Sequence, residues 1–285
     1  MSATRTVMKL ISISADYLDK QGCVSSRLDA EVLLAHVLAM NRLQLYLNFD
    51  RPLETEEIDA YRQLIGLRAR RTPVSYLIGK KEFYSRDFLV NSQVLIPRPE
   101  TEILVEEALQ LAKTISTPRI LDLGTGTGII GITLVLELLE GQIVASDVSK
   151  QALEVARENA IQHGVIDQIE LVRSDLFGQL AGYTFDIICS NPPYIPTNII
   201  YTLEQEVRQE PLSALDGGED GLDYYRQILN QARDHLCDRG YLVLEIGWNQ
   251  ADAVKTLGEA RGFSWHKTVS DYGGKDRVVV LQWRE

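Results

Sequence analysis

The run "FDIICSNPPYIP" (185–196) passes from an apolar, strand-like stretch straight into Asn191-Pro192-Pro193-Tyr194. These residue types in this order suit one chemistry, the presentation of a planar nitrogen to an electrophile. The lone pair of an amide or an exocyclic base amine is delocalised, so such a nitrogen is a poor nucleophile. The Asn191 side-chain oxygen and the Pro192 carbonyl can accept its two N–H bonds, which orients it and stabilises positive charge as it develops. Pro192 has no N–H, and both prolines hold φ near about −65°, so the carbonyl has a set direction. Tyr194 offers a face on which a flat group can stack. Holding donor and acceptor about 3–3.5 Å apart supplies much of the remaining rate. No Cys, Ser or Lys nucleophile is needed, and the product proton can leave to water. In a tail the same residues would be a stiff polyproline-like turn; here they follow a buried strand.

A second cluster lies upstream, in "ILDLGTGTGIIGITL". Gly124, Thr125, Gly126, Thr127 and Gly128 sit between a strand and a helix, where glycine allows a tight turn and close approach to a ligand. The pattern also fits the dinucleotide fingerprint G-x-G-x-x-G. Asp147 ends the next strand, about 20 residues on, in position to take both hydroxyls of a ribose. Ser149 is the better placed cap for the helix that follows. Asp175, in "VRSDLF", follows the third strand and can accept from an adenine amine, with Leu176 or Phe177 against the ring. Adenosine is common to NAD and S-adenosylmethionine (AdoMet). Asp122, two residues before Gly124, favours AdoMet, because an anion is misplaced beside pyrophosphate but suits a sulfonium and an α-ammonium.

These residues need a scaffold that brings them to one edge. After Thr117-Pro118, apolar strands "RILDLG", "QIVASD", "IELVRSD", "FDIICSN" and "GYLVLEIG" alternate with helical stretches, and "DRVVVLQW" reads as a last strand. This predicts a parallel sheet covered on both faces, of Rossmann-like α/β class, with ligands outside the carboxyl ends of the strands. Residues 1–75 read as a small helical domain. In "SSRLDAEVLLAHVLAM", Leu28, Val32, Leu33 and His36 form the apolar face, with Arg27, Asp29 and Glu31 mostly off it. In "LETEEIDAYRQLIGLRARR" the face is Ile58, Tyr61, Leu64 and Ile65. Residues 76–97 read as a β-hairpin linker, and 98–285 as the catalytic domain, opening with a helix over 98–113.

Composition narrows the function classes. The formal net charge is −11; residues 1–90 hold 13 basic against 11 acidic side chains, and 91–285 hold 16 against 29. A protein held to nucleic acid through phosphates needs a basic footprint, which the second part lacks. The dense basic cluster Arg68, Arg70, Arg71, Lys80 and Lys81 is either a solvated helix end or a partner-docking patch. Cys23, Cys189 and Cys237 have no CxxC pairing and the four His are scattered, so a reducing, cytoplasmic setting and no metal centre are expected. No apolar run reaches the roughly 20 residues of a membrane span, and the N-terminus reads as an amphipathic helix, not a signal peptide.

Over nearly its whole length the sequence resembles the protein glutamine methyltransferases that act on bacterial peptide chain release factors. The resemblance is carried by "RRTPVSYLIGKKEFYSRDF" (70–88), "VLIPRPETE" (94–102), "LDLGTGTGI" (121–129), "SNPPYIP" (190–196), "EPLSALDGGEDGLDYYR" (210–226) and "YGGKDRVV" (272–279). The tetrapeptide alone is shared with adenine-N6 nucleic-acid methyltransferases, which is the alternative reading. The resemblance implies an AdoMet site at Gly124–Gly128, with Asp147 on the ribose and Asp175 and Leu176 on the adenine side. Leu176 stands where some relatives carry a bulkier aromatic. Asn191 to Tyr194 would clamp the glutamine amide. Arg98, Pro99, Glu100 and Thr101 would close over the cofactor, and Glu210 and Pro211 would form a substrate-side loop. The helical domain would dock the release factor, whose target is the Gln of a Gly-Gly-Gln loop.

Overall fold

Two compact units divide the chain in the computed structural model, which describes residues 5–284. One runs up to Lys80 and takes in Glu204–Gln209; the other comprises Lys81–Leu203 and Glu210 onward. The excursion at Glu204–Gln209 is not foreshadowed by any periodicity. None of the helices among the described residues is long and apolar enough to cross a membrane.

The first unit is helical: α1 (Val7–Lys20), α2 (Ser26–Val37), α3 (Arg42–Leu47), α4 (Thr55–Ala69) and α5 (Val74–Ile78). Its core gathers Ile11, Leu18, Leu33, Leu34, Tyr61 and Ile65. The face expected for α2 is corrected in part. Leu28 is exposed, whereas Asp29 and Glu31 are buried. Both carboxylates find partners that make burial tolerable. Glu31 accepts from Arg27, Arg42 and the Tyr46 hydroxyl, and these bonds outweigh burial and hold its carboxyl below the usual range.

Neither reading of the basic cluster describes Arg68 and Arg71. Arg68 is buried, with Nε 2.7 Å from Asp29 Oδ2 and Nη2 2.7 Å from Glu206 Oε1. Arg71 closes the group with Nη2 2.7 Å from Glu206 Oε2. Glu204–Gln209 is thereby tied to α4 by charge. Removing one member of a buried ionic group leaves its partners charged and desolvated, which costs about 3–5 kcal/mol. Arg68→Met should lower stability by about 3 kcal/mol, seen as a lower urea midpoint for the helical unit.

The second unit opens, from Lys81 on, within the hairpin β1 (Lys80–Phe83) and β2 (Arg86–Leu89). It is shorter than the predicted 76–97, because Tyr76 belongs to α5. Tyr84 and Ser85 at the turn both have positive φ, as the tight primed turns of hairpins require. The remaining elements are α6 (Thr101–Ala112), β3 (Arg119–Leu123), α7 (Ile129–Glu137), β4 (Gln142–Asp147), α8 (Lys150–Gln162), β5 (Ile169–Arg173), β6 (Phe185–Ser190), α9 (Thr197–Ile200), α10 (Asp223–Gln231), β7 (Leu236–Glu245), α11 (Ala251–Glu259), β8 (Ser264–Ser270) and β9 (Asp276–Gln282).

The sheet runs β5-β4-β3-β6-β7-β9-β8. Strands β3 to β7 are parallel, but β9 is antiparallel to both β7 and β8. The sheet is therefore mixed rather than parallel throughout. A tight turn at Asp271–Lys275 returns the chain directly from β8 to β9, which fixes the antiparallel pairing. Strand order reverses between β3 and β6: the chain leaves β3 toward β4 and β5, then crosses back to β6. That reversal opens a crevice at the carboxyl ends of the strands.

Candidate active site

Register decides what stands at the crevice. Leu123 pairs with Ser146 on one side and Ser190 on the other, and Ser190 pairs with Leu244. The next residue of each strand therefore emerges in one row: Asp147, Gly124, Asn191 and Glu245. The glycine loop and the Asn-Pro-Pro-Tyr segment are neighbours because adjacent parallel strands end level.

The glycine loop folds over the end of β4, with Gly124 and Thr125 both donating to the Ser146 carbonyl at 2.8 Å. Gly124 and Gly126 have φ of +77° and +55°, and a Cβ on either would meet nothing within 4 Å. Their backbone thus faces open space. Gly128 differs: its Cβ would come within 2.8 Å of Ile132 and 3.3 Å of the Ala156 backbone. It is demanded by packing of α7 on α8. The loop is tied from outside by the fully buried Asn159, which donates to the Thr127 carbonyl and pairs with the backbone of Leu89.

Asp147 is half-buried. Its Oδ2 accepts from Gly126 N at 2.9 Å and its Oδ1 from Ser149 N at 2.8 Å. Burial raises its pKa, and the backbone donors work against that. A carboxylate has about four acceptor sites, so acceptor capacity remains beside these backbone donors for a hydroxyl in the crevice. Ser149 caps α8 as expected, accepting from Ala152 N at 3.1 Å.

The cavity at this edge is lined by Arg98, Thr101, Gly124, Thr125, Gly126, Thr127, Asp147, Asp175, Leu176, Asn191, Pro192, Pro193 and Pro211. Pro99 and the buried Phe177 lie outside that lining, as do five further expected residues. Asp122 is fully buried within β3 and turns beneath the loop, where Oδ2 accepts from Thr125 Oγ1 at 2.5 Å and Gly131 N at 2.9 Å. Burial pushes its pKa up to about 6. It braces the loop against α7 and does not reach the crevice, so it gives no direct means of separating AdoMet from NAD. Glu100 faces Arg277 at 3.6 Å. Gly128 sits behind the loop. Glu210 is buried and accepts from Ile96 N at 3.0 Å and Arg98 Nη2 at 2.5 Å, so it anchors the 96–98 segment. The Tyr194 ring packs among apolar residues near α10 and α11, with its hydroxyl 3.4 Å from Glu245 Oε1.

Three contributors were not anticipated. Tyr224 lines the cavity; burial first, then the charge of Asp175, raises its pKa. Glu245 is 1% exposed at the end of β7 and its pKa rises to about 7, mainly from burial. The signal was an acidic residue closing an apolar strand in "GYLVLEIG". Gln250 is also buried; it donates to the carbonyls of Tyr194 (3.0 Å) and Gly221 (3.2 Å) and accepts from Gly247 N.

The segment 215–221 is what backs Asn191-Pro192-Pro193-Tyr194. Ile195 N donates to the Leu215 carbonyl, Gly217 N to the Ile195 carbonyl and Thr197 N to the Gly218 carbonyl. A Cβ on Gly217 would lie 2.8 Å from Tyr194 Cα, and one on Gly221 2.4 Å from the Tyr194 carbonyl oxygen. Only backbone fits there.

An α/β sheet with its strand reversal, glycine loop and Asn-Pro-Pro-Tyr segment at one edge defines a Rossmann-like methyltransferase. Residues 9–79 match the PrmC N-terminal domain model and 99–219 the methyltransferase small domain model. The chain is 42% identical to the release factor glutamine methyltransferase of Geobacter sulfurreducens, over 96% of this chain and 95% of that one. It is 40% identical to the enzyme of the same name from Rhodopirellula baltica, over 97% and 96%. The fold matches a methyltransferase from Pyrococcus furiosus with a TM-score of 0.53 at 20% identity, covering 72% of this chain and 92% of that one. This chain belongs to the release factor glutamine methyltransferase family.

Gly221→Ala combines positive φ with a clash against immovable backbone, which costs about 1–3 kcal/mol. It should lower the melting temperature by several degrees and reduce methyl transfer more than AdoMet affinity. Calorimetry beside a turnover assay checks both.

Proposed function

We propose that this chain transfers a methyl group from AdoMet to the side-chain amide nitrogen of the Gln in the Gly-Gly-Gln loop of peptide chain release factors. The observation that carries the reading is the shared row of Asp147, Gly124 and Asn191 at the strand reversal. The crevice suits AdoMet on its own features. Open space above Gly124 and Gly126 admits a ligand close to backbone, and Asp147 keeps acceptor capacity for ribose hydroxyls. Asp175, Leu176 and Tyr224 would border the adenine, with Arg98 and Thr101 on the covering side. When bound, AdoMet supplies an electrophilic methyl on a sulfonium.

The chain's own residues do the rest. Asn191 and the Pro192 carbonyl accept the two amide N–H bonds of the glutamine, aim the nitrogen and favour the positive charge that grows on it. Pro192 and Pro193 restrict the backbone, and the 215–221 segment and Gln250 hold it in place. The Tyr194 ring is packed inward, so it supports the loop beneath the substrate and is not a free stacking face. The helical unit would supply the docking surface for the release factor. A translation protein as substrate makes the cytoplasm the working compartment, and no direct nucleic-acid contact is required.

Labelled AdoMet and a release factor, with and without replacement of the Gly-Gly-Gln glutamine, test the reading. Label is expected on the unmodified factor alone; label persisting on the replaced protein would sink the site assignment. Asn191→Ala should lower turnover by about a hundredfold or more while AdoMet affinity stays within about tenfold. Asp147→Ala should do the reverse and chiefly weaken AdoMet binding by calorimetry; unchanged affinity removes it from the ribose role.

A further inference from the structure

The Asn191 side chain is not left to choose its orientation. Its Nδ2 lies 3.2 Å from Thr101 Oγ1, and Thr101 Oγ1 lies 2.7 Å from Glu245 Oε2. Thr101 and Glu245 are each 1% exposed, so the bond between them is not traded with water. The Tyr194 hydroxyl closes the chain at 3.4 Å from Glu245 Oε1.

An ionised carboxylate only accepts, so the Thr101 hydroxyl donates its hydrogen bond to Glu245 and leaves Thr101 Oγ1 as an acceptor. An acceptor there selects the amide NH2 of Asn191, which turns Oδ1 toward the crevice. The opposite flip would present N–H to the N–H of the substrate amide. We infer that Glu245, acting through Thr101, is a positioning residue that fixes which end of the Asn191 amide meets the substrate nitrogen. This rests on the reading of Asn191 as an acceptor for a substrate amide.

The same chain of bonds makes positioning depend on pH. The groups facing the Glu245 carboxyl are Thr101 and Glu100 at the start of α6, Tyr194 after β6 and Arg277 on β9; Tyr225 on α10 donates to its backbone carbonyl. Burial and Glu100 raise its pKa, against Thr101, Arg277 and Tyr194, to about 7. A protonated Glu245 can donate to Thr101, which lets the Thr101 hydroxyl turn to Asn191 and reverse the amide. Turnover should therefore be full above that value and fall as pH drops through it.

The test uses the full-length chain, AdoMet and a peptide carrying a Gly-Gly-Gln loop, with kcat measured from pH 6 to 8.5. Thr101→Val removes the hydroxyl at nearly constant volume. It should lower kcat about tenfold at saturating AdoMet, the worth of roughly one hydrogen bond, and flatten the pH profile. Thr101→Ser should restore kcat to within about threefold of the parent and bring the pH limb back. Glu245→Gln cannot titrate and should lack the limb whichever way its amide settles. A Thr101→Val enzyme with the parent's kcat and limb, or a Glu245→Gln enzyme with an unchanged limb, overturns the inference. An unmutated enzyme that methylates no glutamine amide refutes the proposed function instead, so the two failures are distinct.

Discussion

Level ending of adjacent parallel strands is the constraint on which the site depends. Because Leu123, Ser146, Ser190 and Leu244 share one row, the next residues leave the sheet together. A slip of one residue would send the Asn191 side chain to the other face of its strand. The apolar runs of β3, β6 and β7 are buried on both faces, so packing resists such a slip. The alignment of this row is a by-product of core register.

Register alone does not hold a loop, and the backing of Asn191 to Tyr194 comes from more than twenty residues downstream. Gly217 and Gly221 are placed where a Cβ would strike the Tyr194 backbone. Gln250 then bonds both surfaces at once. Two rigid devices converge: prolines that limit φ within the segment, and glycines that let another strand of backbone lie against it. The distant "ALDGGEDG" run is thus structurally part of the same loop.

Much of this was open to reading along the chain. Alternating apolar strands and helices, the glycine turn, the Ser149 cap and the Asn-Pro-Pro-Tyr exit all follow from local chemistry. What local patterns missed was pairing at a distance. Asp29 and Glu31 looked like solvated positions because nothing nearby in sequence announces Arg68 or Arg42. Arg68 and Arg71 looked like a surface cluster for the same reason, since Glu206 lies over a hundred residues away. Asp122 stands at the right position on the chain for a ligand contact, but its side chain turns under the loop. Glu245, a single acid closing a strand, carries no spacing signal; only the register with Asn191 gives it meaning.

Asp122 and Glu245 show how burial is used twice beneath one crevice with different ends. Their pKa values rise from 3.8 to about 6 and from 4.5 to about 7. For such groups the favourable contribution to stability is full below the unfolded pKa and is lost as pH rises through the folded value. At 1.4 kcal/mol per tenfold, each ionised carboxylate costs on the order of 3 kcal/mol at pH 8. Asp122 returns part of that by pinning Thr125 and Gly131, a service to the loop alone. Glu245 braces nothing comparable: its two acceptor bonds run to Thr101 and Tyr194, and through Thr101 to Asn191. An apolar residue at position 245 would spare the fold a buried charge, but it could not dictate which atom of Asn191 faces the crevice. A buried ionisable group that weakens the fold yet is tied through Thr101 to Asn191 fits the positioning role proposed for it.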